Sequence, residues 1–324
     1  MTSLAYRLAT GAAVLALAAT GCGPDTDDPV GAAPEAFGSA SPPAPAPPTP
    51  SPAPSRTSAP AVPAAQLPQG GRKIFPAYRV VAYYGTAGNP VLGVLGESTP
   101  EGILPRLRAA AAGFAAPGRK VQLAYELIVT VAQAGPGTDG NYSQTIDLDK
   151  VKRYVDAARR HKILVVLDVQ PGRTDFLTEV KKLQRFLEEP HVGLALDPEW
   201  RMPPGKVPGR TIGTVSAAEI NAVSAYVADI VRRQNLPEKL FLLHQFRASM
   251  IPDIARVQRR PGLAMVQHLD GFGTRAEKNA TFARLRRPQQ FHIGYKLFYD
   301  EDINLYRPRE VLAMKPAPEY ISYQ

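Results

Sequence analysis

The chain has 324 residues, 44% hydrophobic and 21% charged, with 33 prolines, one cysteine and a formal net charge of +9. A single cysteine excludes a disulfide scaffold, and no apolar run beyond the N-terminus approaches the ~20 residues of a membrane-spanning helix. The positive balance favours anionic neighbours such as acidic glycans or lipid headgroups, but pairs such as Arg106/Arg108, Lys181/Lys182, Arg232/Arg233 and Arg286/Arg287 are scattered as solvated helix faces, without interleaved aromatics, so nucleic acid is not an expected partner.

Arg7 precedes the apolar segment Leu8–Ala19, which is too short to span a bilayer and has the shape of a signal-peptide core. Thr20 and Gly21 then stand immediately before Cys22, the single cysteine. This ending resembles a bacterial lipobox, with Ala19 where a leucine is usual. The resemblance implies that residues 1–21 are a lipoprotein signal peptide and that Cys22 carries the lipid. Two acyl chains would hold such a protein stably on the outer face of the cell membrane, where one chain binds only marginally. Residues 22–72 are rich in Pro, Ala and Ser and lack a periodic apolar pattern, so they are expected to be a disordered, extended tether. Their bias resembles that of lipoproteins from high-GC Gram-positive bacteria.

From residue 73 onward, short apolar runs alternate with amphipathic stretches. The expected strands are Val80–Gly85, Val121–Val129, Ile163–Gln170, Val192–Glu199, Leu240–Phe246, Ala264–Asp270, Phe291–Tyr299 and Tyr320–Gln324. The expected helices are Glu101–Ala116, Leu148–His161, Thr174–Glu188, Ala217–Gln234 and Ala276–Leu285, with Thr99, Asp147 and Ser216 as N-caps. Eight such units predict a single (β/α)8 TIM-like barrel over 73–324. No eighth helix follows the last strand, so part of Gly70–Ala77 is expected to cover the barrel. An open doubly wound sheet is the alternative, but Tyr83–Gly88 lacks the glycine spacing of a dinucleotide-binding turn, and no cofactor is expected.

Alternate residues of a barrel strand face inward. That parity places Glu126, Asp168, Gln170, Asp197, Glu199, His244, His268, Asp270 and Lys296 inside, towards the C-terminal strand ends where barrel enzymes hold their sites. Burying so many ionisable groups costs several kcal/mol each unless they pair or line a wet cavity.

The run Gly193–Trp200, which contains Asp197-Pro198-Glu199, resembles the fourth-strand Asp-x-Glu signature of family 18 glycoside hydrolases, and family 25 muramidases share an Asp-x-Glu at a barrel strand end. Val81–Gly85 is faintly similar to the first strand of chitinase-like proteins. Val192 and Ala195 stand where family 18 has earlier aspartates, and Pro198 replaces its usual spacer. The resemblance implies a glycoside-hydrolase-like surface lipoprotein acting on a cell-wall or extracellular glycan, with Glu199 as acid, Asp197 as its helper and Asp168 or Asp270 as a further partner. Tyr83, Tyr84, Trp200 and Tyr299 are then candidates for stacking on sugar rings, with Glu126, Gln170, His244 and Lys296 as further substrate contacts. Two other classes stay open: a non-catalytic glycan-binding lipoprotein, and a metal-dependent hydrolase using Asp168, Asp197, Glu199, His244 and Asp270.

Overall fold

The computed structural model describes residues 64–324; the signal segment 1–21, Cys22 and the tether up to residue 63 lie outside the described residues. Nine strands form one sheet: β1 (Tyr78–Gly85), β2 (Lys120–Ala132), β3 (Ser143–Thr145), β4 (Leu164–Val169), β5 (Val192–Leu196), β6 (Lys239–Gln245), β7 (Leu263–Leu269), β8 (His292–Leu297) and β9 (Tyr320–Tyr323). β3 is a short antiparallel arm on the end of β2. The other eight are parallel, and because β1 pairs with both β2 and β9 the sheet closes into a barrel. Closure excludes the open doubly wound alternative.

The main helices are α1 (Pro100–Ala112), α2 (Leu148–His161), α3 (Phe176–Lys182), α4 (Gln184–Leu187), α5 (Ala217–Arg233), α6 (Arg275–Leu285) and α7 (Pro308–Leu312). Their starts are set locally. Thr99, Asp147 and Ser216 accept from the backbone N–H of Gly102, Asp149 and Glu219, satisfying donors that the first helical turn leaves unpaired. The helix expected over Thr174–Glu188 is broken at Leu183 into α3 and α4. α7 was not expected; it is a single short turn started by Pro308, whose missing N–H costs nothing at that position.

Strand parity sorts the core into two layers. Side chains such as Val81, Leu127, Leu167, Leu194 and Phe241 point outward and pack with the helices, while Val80, Ala82, Val166, Ala195, Leu242 and Val266 fill the lower barrel. Ile74 and Phe75 close that inner cluster from below, so the segment Gly70–Ala77 does cover the barrel, and Leu67 joins it. Gly193 is required inside: a Cβ there would stand 2.6 Å from the carbonyl oxygen of Leu240. Apolar side chains, many of them small, and a covering segment fill the lower half, and the polar residues occupy the upper half.

Candidate functional site at the barrel mouth

The deepest polar layer is centred on His244 of β6. Its Nε2 lies 2.9 Å from Glu126 Oε1 and its Nδ1 lies 2.8 Å from Asp270 Oδ2, with all three groups buried. Burial opposes charge on the ring, but two carboxylates on its two nitrogens outweigh it and hold His244 well above the ordinary histidine range. Burial likewise works against ionised Glu126, yet the hydrogen bond and charge of His244, with the charge of Lys296, bring it down to about 2, and His244 also keeps Asp270 below the usual carboxylate range. The Tyr320 hydroxyl donates to Glu126 Oε2 at 3.0 Å. Beside this triad His268 bonds Ser322 Oγ at 2.8 Å, and burial pushes it down to about 3, so it stays neutral. His268 rests against Gly294, where a Cβ would lie 2.4 Å from its Nδ1.

Above this floor the Tyr84 hydroxyl donates to Asp168 Oδ2 at 2.9 Å and receives Gln170 Nε2 at 3.3 Å. Burial raises Asp168 to about 6. Lys296 of β8 holds its Nζ 3.3 Å from the centroid of the Tyr84 ring, and among the described residues that ammonium has neither a hydrogen-bond partner nor a carboxylate within ion-pair distance. Asp197 is raised well above its usual value, first by burial and then by Asp168 and Glu199 around it. Glu199, half-buried by surface accessibility, is pushed up to about 7 by desolvation and the charge of Asp270.

These groups border a cavity of about 510 Å³ at the C-terminal mouth, whose polar wall includes Tyr84, Gln170, Asp197, Glu199, Asp270 and Lys296. A larger hollow of about 820 Å³ lies against residues that begin strands, at the opposite end of the barrel, but there Arg119 and His292 are both bonded to Glu319. The mouth is therefore the better site, since it combines depth with buried groups whose proton affinities are displaced in opposite directions. Asp270 adds a further feature: Oδ2 is anchored by His244, whereas buried Oδ1 has no partner among the described residues.

The structure gathers most of the sequence-derived candidates here. Glu126 and His244 lie in the floor, Asp168 sits just above it against Tyr84, and Trp200 lines the cavity with the six residues of the polar wall. Tyr83 and Tyr299 do not line it. Tyr83 has outward parity and packs in the helix-facing core, and Tyr299 stacks on Tyr323 with its hydroxyl 3.2 Å from that of Tyr83. Sequence reasoning missed Tyr320 and Ser322 in the floor, which the alternation of the last strand could have revealed, and Arg247, Phe272 and Phe298 in the wall, which lie in loops or at strand ends. Of the carboxylates expected to gather around a metal, Asp270 bonds His244 directly, but Asp168, Asp197 and Glu199 do not join them in one ligand cluster. Among the described residues the donor atoms that cluster within 4.8 Å of one another belong to Glu126, His244 and His268, and hydrogen bonds to one another, Tyr320 and Ser322 already engage them.

The Asp-x-Glu motif is not a strand-end pair. β5 ends at Leu196, three residues before the expected end at Glu199, and Pro198–Trp200 form a 3₁₀ turn in which Glu199 N donates to Asp197 Oδ1 at 3.2 Å. Pro198 cannot donate to a ladder, and the Asp197 side chain offers the backbone a turn instead.

No protein-family model matches the chain, and no curated protein does. Several solved structures match, among them the HpcH/HpaI aldolase from Desulfitobacterium hafniense DCB-2, 11% identical, with 76% of this chain and 86% of that chain covered and a TM-score of 0.35. The glycan-directed expectations are corrected here: the strand-end Asp-x-Glu geometry on which the chitinase-like and muramidase-like resemblance rested is absent, because the strand stops at Leu196 and Glu199 lies in the turn that follows. The chain is a closed parallel (β/α)8 barrel of TIM type.

Proposed function

We propose that the barrel is an enzyme that moves protons on a small carbonyl compound bound in the mouth, with Asp270 as base, Glu199 as acid and Lys296 as the cation facing the carbonyl oxygen. The observation that carries this reading is the divided carboxylate of Asp270. One oxygen is fixed and kept ionised by His244, and the other is buried, unpartnered and part of a residue that lines the cavity. Glu199 on the same cavity is held near 7, where a group can donate and recover a proton with equal ease. Lys296 supplies positive charge where negative charge develops on an oxygen, which is most effective in a site with little water. A base, an acid and an oxyanion partner on one cavity are the parts that proton abstraction beside a carbonyl requires.

The test is solvent exchange. A panel of aldehydes, ketones and oxo acids is incubated with the protein in deuterium oxide and followed by proton NMR. Protein-dependent loss of a C–H signal next to a carbonyl, abolished in Asp270→Asn, supports the reading. No exchange in any compound, or exchange that Asp270→Asn leaves intact, removes it.

We further propose that this domain works outside the cytoplasm, held to the membrane through a lipid on Cys22. Support comes from the order of Arg7, the apolar Leu8–Ala19, the small residues before Cys22 and the proline-rich stretch after it. Among the described residues no helix is long and apolar enough to cross a membrane.

A further inference from the structure

The large hydrophobic side chains exposed among the described residues are Val91, Phe272, Ile303 and Tyr299, at 85%, 65%, 59% and 38% exposure. They are not scattered. Val91 lies on the connection from β1 to α1, Phe272 on that from β7 to α6, and Tyr299 and Ile303 on that from β8 to α7. Connections that leave the C-terminal ends of barrel strands surround the mouth. In the closed sheet β7, β8, β9 and β1 are successive neighbours, so all four residues fall on one side of the rim.

That apolar side runs into the cavity. Phe272 packs edge-on to Phe298 at 5.7 Å between centroids, and the Phe298 ring lies 5.2 Å from Lys296 Nζ. Leu92, next to Val91, also lines the cavity. The two loops carrying Phe272 and Ile303 are bound to each other: Ile303 N donates to Gly273 O at 3.0 Å and Gly273 N donates to Asp302 Oδ1 at 3.3 Å. Lys278 completes the brace, with its buried Nζ 2.9 Å from Asp302 Oδ2 and also donating to Gly271 O and Lys296 O. The rim is thus pre-organised: it exposes aromatic and aliphatic groups on this side, beside the exposed Arg247, Arg284 and Glu301 of the same wall, while Asp197, Asp270 and Lys296 are buried below.

We infer that the substrate carries an acyl chain, with its polar carbonyl or carboxylate head beside Lys296 and the chain running over Phe298 and Phe272 to the rim. The inference rests on the carbonyl-site reading above and names the class of molecule that fits it. Exposed apolar groups continuous with a polar cavity match an amphipathic ligand, for which the chain supplies affinity and the head supplies orientation.

Calorimetric titration of the full-length chain with butyrate, hexanoate, octanoate and decanoate tests it. Comparison with variants cancels whatever the N-terminal apolar segment binds. Affinity is expected to rise about two- to fourfold per added methylene, as burial of a CH2 group predicts. Phe272→Ser should flatten that dependence, and Lys296→Met should weaken every length about equally. Affinities independent of length, or a dependence unchanged in Phe272→Ser, would overturn the inference. So would either of two reassignments of the rim, namely Phe272-dependent self-association by analytical ultracentrifugation without fatty-acid binding, or Phe272-dependent sedimentation with phosphatidylglycerol vesicles without fatty-acid binding. The readout separates the two proposals. Chain-length dependence without deuterium exchange sinks only the proton-transfer reading, and exchange on short compounds without chain-length dependence sinks only this one.

Discussion

His244 Nδ1 stands 2.8 Å from Asp270 Oδ2, and this contact joins the charged floor of the barrel to the cavity above it. The other ring nitrogen is taken by Glu126, so the imidazolium is enclosed between two anions with no exposure to solvent. Such an arrangement holds only while all three members are present.

His244→Leu should therefore destabilise the protein by about 3–5 kcal/mol at pH 7, the usual cost of leaving buried charge without its partner. The deficit should shrink at pH 5, because Glu126 and Asp270 can then neutralise themselves by taking up protons. Urea denaturation at the two pH values measures both effects, and a deficit equal at both would show that packing, and not charge, is what His244 contributes.

Two carboxyl groups make opposite contributions to the pH dependence of stability. Glu126, lowered from 4.5 to about 2, contributes stability that is present above its unfolded value and lost as pH falls through 4.5 towards 2. Glu199, raised from 4.5 to about 7, holds its proton in the folded state while the unfolded chain has released it, so its contribution declines as pH rises from 4.5 to 7. Glu199→Gln should remove that decline, making the variant gain on the wild type between pH 4.5 and pH 7.5. Paired urea midpoints across this window read the difference, and parallel curves would place the ordinary carboxyl affinity at Glu199.

In the exchange reaction Glu199→Gln keeps the side-chain shape and abolishes the titrating group. A general acid contributes about 10²–10⁴-fold, so the rate should fall by that factor while the circular dichroism spectrum of the fold is retained. A variant that exchanges at the wild-type rate would transfer the acid role to Asp197 or Asp168.

Removal of Tyr320–Gln324 should abolish cooperative unfolding. β9 is the strand between β8 and β1, and with it go the Tyr320 bond to Glu126 and the Ser322 bond to His268. Circular dichroism melting checks this, and a truncated chain with the wild-type transition would mean that closure adds little to stability.

Cys22→Ala should leave the protein unprocessed or released from the membrane fraction. Cell fractionation with immunoblotting decides it, and unchanged retention together with unchanged processing would exclude a lipid on Cys22.

By itself the sequence determined the periodic parts of this protein. The alternation of β-branched runs with capped amphipathic helices located all eight barrel strands, and strand parity alone put Asp168, Asp197, His244, Asp270 and Lys296 inside. Those features are local: they follow from the two-residue period of a strand and from side chains that bond their own backbone. Tertiary structure decided the rest. Parity extrapolated past Leu196 failed for Glu199 as a strand residue, because Pro198 and the Asp197 cap turned the chain there, and it was not applied to Tyr83, which packs among the helices. Which carboxylate pairs with His244, and which is left with a free oxygen, depends on strands 118 and 26 residues apart in sequence being brought to 2.9 and 2.8 Å. Proton affinity follows from such distances and from burial, and neither is a property of a residue's place along the chain.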